Sequence, residues 1–105
     1  MQYHIHIYNP IEEDDQKLIS LLKKFGMQVV EWEMSPVGPH KLPQVCFLHE
    51  GPLTHHVVSV LWTSKSPILV HPLTDDELSD HTEGAVWFNK GATELNLEYF
   101  EKCSK

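Results

Sequence analysis

The chain has 105 residues, 41% hydrophobic and 22% charged, which fits one soluble globular domain spanning 1–105 with a single core. Its formal net charge of −7 argues against a nucleic-acid partner, because phosphate binding needs a basic patch. No apolar run approaches the roughly 18 residues that span a bilayer, and Met1-Gln2-Tyr3-His4 lacks the basic-then-apolar pattern of a secretory signal, so no membrane partner and a cytoplasmic location are expected.

Tyr3 to Tyr8 alternates, with Tyr3, Ile5 and Ile7 on one face and His4, His6 and Tyr8 on the other, as in a half-buried strand. Asn9-Pro10 predicts a helix start, Asn9 as N-cap and Pro10 at the first position. Glu12, Glu13, Asp14 and Asp15 suit the positive end of that helix dipole. Leu18, Leu21, Leu22 and Phe25 follow the helical period, and Gly26 ends it. Met27 to Met34 alternates again, Val30, Trp32 and Met34 inward against Val29, Glu31 and Glu33. Prolines 36, 39 and 43 with Gly38 then break both kinds of ladder. Gln44 to His49 reads as a third strand. Gly51-Pro52 opens a second helix with an apolar stripe of Leu53, Val57, Val58, Leu61 and Trp62, and His55 and His56 sit beside that stripe on the helix surface. Pro67 to His71 is a fourth strand. Beyond Asp75 only a short strand at Ala85 to Phe88 and an amphipathic end at Leu95, Leu97, Tyr99 and Phe100 stand out. Cys46 and Cys103 read as free thiols.

Strand, helix, strand, strand, helix, strand is the βαββαβ order of the ferredoxin-like α+β sandwich. Right-handed crossovers put its antiparallel sheet in the order 4-1-3-2, with helices on one face and the C-terminal extension left over. The open face is then covered by that tail, a second subunit or a ligand. With strands 1 and 3 taken as parallel, His4, His6, Glu33, His40 and His71 meet at one edge of the sheet. Side-chain parity turns His4, His6, Glu31 and Glu33 to the open face.

Histidine is the unusual residue, with eight in the chain. Two or three imidazoles with a carboxylate suit a catalytic transition metal such as Fe(II) or Zn(II), leaving coordination positions open. The structural alternative is that His4 or His6 is a strand residue hydrogen-bonded at a dimer interface. His49 lies at the far end of its strand and is assigned no site role. His81, between Asp80 and Thr82, suits a general acid or base whose tautomer its neighbours fix, or else a loop histidine bonded to its own turn.

Four blocks carry a likeness to a known family. Tyr3-His4-Ile5-His6-Ile7-Tyr8, Pro36-Val37-Gly38-Pro39-His40, Val70-His71-Pro72-Leu73-Thr74, and Asp80-His81-Thr82 with Ala85 and Trp87 resemble the DOPA 4,5-dioxygenase family in order, spacing and identity. The resemblance implies a ferredoxin-like homodimer that opens catechol rings with a non-haem Fe(II) and O2, on DOPA or a caffeate-like acid. It implies metal contacts from His6, His40 and His71, with His4 and Glu33 in reserve, and His81 as the acid–base group. Tyr8 and Trp87 are expected to wall the aromatic substrate. Two positions depart from the family pattern: Asp75 stands where a glycine is expected, and Lys41 where a proline is. Lys41 is placed to pair a substrate carboxylate. The other class of function considered is a non-enzymatic dimeric module that binds a metal or an aromatic ligand.

Overall fold

The first strand sets the layers. In a computed structural model, which describes residues 1–10, 13–33, 38–91, 93 and 95–103, β1 (Gln2–Tyr8) buries Ile5 and Ile7 completely on one face and carries His4, His6 and Tyr8 on the other. Each of those isoleucines contributes about 1.5–3 kcal/mol by burial, so a one-residue slip that swapped imidazoles into the core is strongly disfavoured. The same face takes Val45 and Phe47 from β3 (Gln44–Glu50) and Ile68 and Val70 from β4 (Ile68–Pro72). Leu18, Ile19 and Leu22 of α1 (Glu13–Lys24) and Val57 and Leu61 of α2 (His55–Leu61) close over them.

All neighbouring strands are antiparallel: β1 with β3, β1 with β4, and β3 with β2 (Gln28–Glu33). The expectation that strands 1 and 3 run parallel is therefore corrected. Each crossover skips one strand, so the parallel pairs are β1 with β2 and β3 with β4, and their interleaving opposes β1 to β3. One consequence is that Glu33 pairs with Gln44, opposite Tyr8, whereas His71 pairs with His4. The imidazoles thus do not share an edge; they run along the middle of the open face. The sheet keeps the expected 4-1-3-2 core but gains β5 (Val86–Phe88) beside β4, giving the order β2-β3-β1-β4-β5.

Local details also differ. Asn9 has φ 49 and its N–H bonds to the Pro43 carbonyl at 2.8 Å, so it makes a left-handed turn that asparagine tolerates and is not the cap of α1. At the other end Gly26 (φ 86) donates to the Lys23 carbonyl at 3.0 Å and Met27 to that of Leu22 at 3.2 Å, the paired bonds that end a helix on a left-handed residue. The α1 stripe is rotated from the expected one, with Ile19 buried and Leu21 and Phe25 each 37% exposed. Thr54, not Gly51-Pro52, starts α2 by accepting from the Val57 N–H, and Trp62 falls outside its stripe. A bulge between Val29 and Glu31 leaves Val30 exposed rather than inward. Glu12, Met34, Pro36 and Val37, and the side chains of Glu13, Asp14, Trp32, Glu33 and Cys103, lie outside the described residues.

The tail covers the open face. α3 (Glu77–Asp80), β5 and α4 (Glu98–Cys103) follow β4, and Asn96 donates to the Pro39 carbonyl at 2.7 Å while His40 and Leu95 form a bridge. Gly38 sits at φ +59 against the Tyr99 ring, which lies 3.7 Å from where a Cβ would stand. Among the described residues, no helix is long and apolar enough to cross a membrane.

Candidate metal centre

Parity and register bring His4, His6 and His71 together: His4 faces His71 across β1 and β4, and His6 lies two residues along the same face. Ring centroids are 5.0 Å apart for His6 and His71 and 5.3 Å for His4 and His71. Two more imidazoles arrive from outside the sheet. His40, on the proline-rich loop, comes within 4.2 Å of the His6 ring, and His81, just after α3, within 4.0 Å of the His71 ring. Donor nitrogens of His4, His6 and His71 all lie within 4.8 Å of one another, as do those of His6, His40 and His81.

Hydrogen-bond partners fix which nitrogens face inward. The His71 Nδ1 lies 2.9 Å from the Pro72 carbonyl and the His81 Nδ1 lies 2.7 Å from that of Glu77. A carbonyl only accepts, so both Nδ1 atoms carry hydrogen, and in the neutral form of each ring the lone pair is the one at Nε2. His6 donates likewise from Nδ1 to the Gln44 amide oxygen, leaving its Nε2 2.9 Å from the Nε2 of His71. Two lone pairs facing at that distance are a receptor for a cation. His40 is held at Nδ1 by the Tyr8 hydroxyl, 2.5 Å away.

Electrostatics keep the donors neutral. Burial, reinforced by neighbouring imidazoles, holds His6 well below the ordinary histidine value and takes His40 down to about 3. Burial takes His71 to about 4 and also lowers His4. Neutral imidazole is the ligating form, and its softness suits Fe, Zn, Cu or Ni rather than Mg or Ca. Burial pushes the Cys46 thiol up to about 12, so its sulfur, 4.0 Å from the His6 Nε2, stays protonated. The donor set therefore fits a divalent transition metal.

A cavity of about 280 Å3 opens over these rings, bounded also by Glu31, Tyr99 and Phe100. His81 lies between it and a second cavity of about 620 Å3 that holds Trp87, Lys90 and Leu97. Trp87, expected beside the substrate, is thus at the second cavity, with the Lys90 ammonium 5.6 Å from its ring. Tyr8 is 1% exposed and supports His40 instead of offering an open wall. Lys41 lines neither cavity, and the side chain of Glu33 lies outside the described residues. His49, assigned no role, bonds to the Pro52 carbonyl at 3.0 Å, away from the cluster.

Asp80, expected from its place beside His81 to fix that ring's tautomer, does not do so; the Glu77 carbonyl takes the Nδ1 hydrogen. The Asp80 carboxylate instead takes the Thr74 N–H at 2.8 Å and hydroxyl at 2.6 Å, clamping the strand that carries His71 to the helix that precedes His81. The Thr82 hydroxyl turns to the Leu78 carbonyl. Sequence reasoning missed this clamp and missed Gln44. The available signal was a polar residue opening a buried strand, on the face parity shares with His6 and Tyr8.

No curated protein matches the chain. Among solved structures, a crystal structure of a candidate dioxygenase from Nostoc punctiforme is similar, with a TM-score of 0.75 and 26% identity over 97% of this chain and 92% of that one. Its likeness extends through the tail as well as the sheet. The sequence itself matches the Dopa 4,5-dioxygenase family over residues 3–99, a span holding all five clustered histidines, and the chain belongs to that family.

Proposed function

We propose that this protein is an extradiol-type dioxygenase, opening a catechol ring beside its two hydroxyls with Fe(II) and O2. The observation that carries the reading is the set of imidazoles beneath a cavity, in which His6 and His71 are held neutral by burial, commit their Nδ1 hydrogens to fixed acceptors and bring their Nε2 atoms together. His6 and His71, with His40 or His4, would hold the metal, and Fe(II) there would supply the redox centre at which catechol and dioxygen meet. The reaction balances without another reductant: one ring C–C bond breaks, and both oxygen atoms enter the product as an aldehyde and a carboxylic acid.

The chain's own residues have distinct tasks. His81, anchored through Nδ1 to Glu77, turns Nε2 toward the cavity and accepts the proton that a catechol hydroxyl loses on binding. Tyr99 and Phe100 lay flat apolar surface along the cavity and limit water at the rings. Asp80 and Thr74 keep the His71 and His81 backbones at a fixed separation.

The test is anaerobic loading with Fe(II), then addition of caffeate or DOPA and air. A yellow ring-opened semialdehyde with matching O2 uptake is the expected result. Metal binding without O2 uptake would select the non-enzymatic binding module instead.

A further inference from the structure

We propose that Gln44 is a positioning residue that holds His6 in the tautomer able to bind a metal, against a relaxation that the metal-free cluster would otherwise undergo. This rests on the metal-centre reading above. Gln44 opens β3 at 1% exposure, and its amide oxygen accepts the His6 Nδ1 hydrogen. Its own amide nitrogen is the one buried side-chain polar atom without a hydrogen-bond partner among the described residues. Such an atom is destabilising, and a glutamine kept there with half its amide unsatisfied is not explained by stability.

The reason lies one bond further on. His71 cannot change tautomer, because its Nδ1 must keep hydrogen for the Pro72 carbonyl. His6 can. Without Gln44, the His6 hydrogen would move from Nδ1 to Nε2 and be donated to the His71 Nε2 lone pair 2.9 Å away. That arrangement satisfies the two rings with each other and caps both metal-facing lone pairs. The amide oxygen of Gln44 makes it unfavourable by rewarding hydrogen on Nδ1. Ring-orienting acceptors of this kind typically change metal affinity by about 10–100-fold.

Gln44→Leu keeps the volume, removes the acceptor and also removes the orphaned donor. The expected result is a metal-free protein whose melting temperature equals or exceeds that of the wild type. Its Zn(II) or Co(II) affinity by calorimetry should fall about 10–100-fold. Long-range 1H–15N spectra of the metal-free protein should show His6 hydrogen on Nδ1 in the wild type and on Nε2 in the variant. Gln44→Glu restores an acceptor and should recover affinity to within a few-fold of the wild type. A residue that merely packs would show the reverse: a lower melting temperature with unchanged affinity and tautomer. Wild-type affinity or an Nδ1 hydrogen in Gln44→Leu overturns the proposal. If the wild type itself bound no Zn(II) or Co(II), the metal centre would fall and this role with it. Binding retained without ring cleavage leaves the role of Gln44 intact and removes only the enzymatic reading.

Discussion

The two faces of one sheet divide the work. On the helix face, Ile5, Ile7, Val45, Phe47, Ile68 and Val70 are at most 1% exposed and interlock with two helices. On the other, the same strands present His4, His6, Tyr8, Gln44 and His71, all but His4 buried nearly as deeply, and joined by polar contacts from ring to ring and ring to amide. Burial on the first face is stability; on the second it sets ionisation and direction of lone pairs. The strand period of two lets a single backbone serve both without compromise.

That division can be broken from either side. His71→Ala should abolish metal binding at the cluster and ring cleavage while leaving the circular dichroism spectrum unchanged, because the space it vacates adjoins an existing cavity that water can enter. Normal turnover would remove His71 from the metal shell. Phe47→Ala should do the opposite, lowering unfolding free energy by about 3–5 kcal/mol in urea titration while the metal affinity of the folded fraction stays unchanged. A loss of affinity beyond the loss of folded protein would show that the two faces are coupled.

Acid separates them further. An unfolded imidazole titrates near 6.5, but burial in the folded chain holds His71 at about 4 and His40 at about 3. The unfolded state therefore binds more protons in between. Metal-free stability should be fully present above pH 6.5 and fall as pH drops through the folded values. Denaturation followed from pH 7 to pH 4 checks the sign, and a flat profile would contradict burial as the cause. The smallest effect expected is at the clamp. Asp80→Ala removes two bonds to Thr74 and should cost about 1.5–3 kcal/mol by thermal unfolding, with a slower reaction because His71 and His81 lose their fixed spacing.

Much of this was legible in the sequence. Alternation from Tyr3 to Tyr8 identified both faces, since period-two patterning is read directly from residue type. Gly26 marked the end of α1 for an equally local reason. Strand direction was not local, and taking strands 1 and 3 as parallel put the histidines at an edge when they lie along mid-face. They converge all the same, because parity fixes the face whichever way a strand runs. Partners of the imidazoles were the least legible. The Pro72 and Glu77 carbonyls belong to the backbone and have no signature in residue identity, and Gln44 is separated from His6 by 38 positions.

The bridge between His40 and Leu95, with the Asn96 bond to Pro39, carries a consequence for how the centre is completed. The pairing of β1 with β4 places three imidazoles, whereas the His40 loop is tied to a residue fifty-five positions further along. The ion-holding cluster is therefore braced by a segment that follows every strand of the sheet, so its grip and the sheet's own stability rest on different stretches of chain.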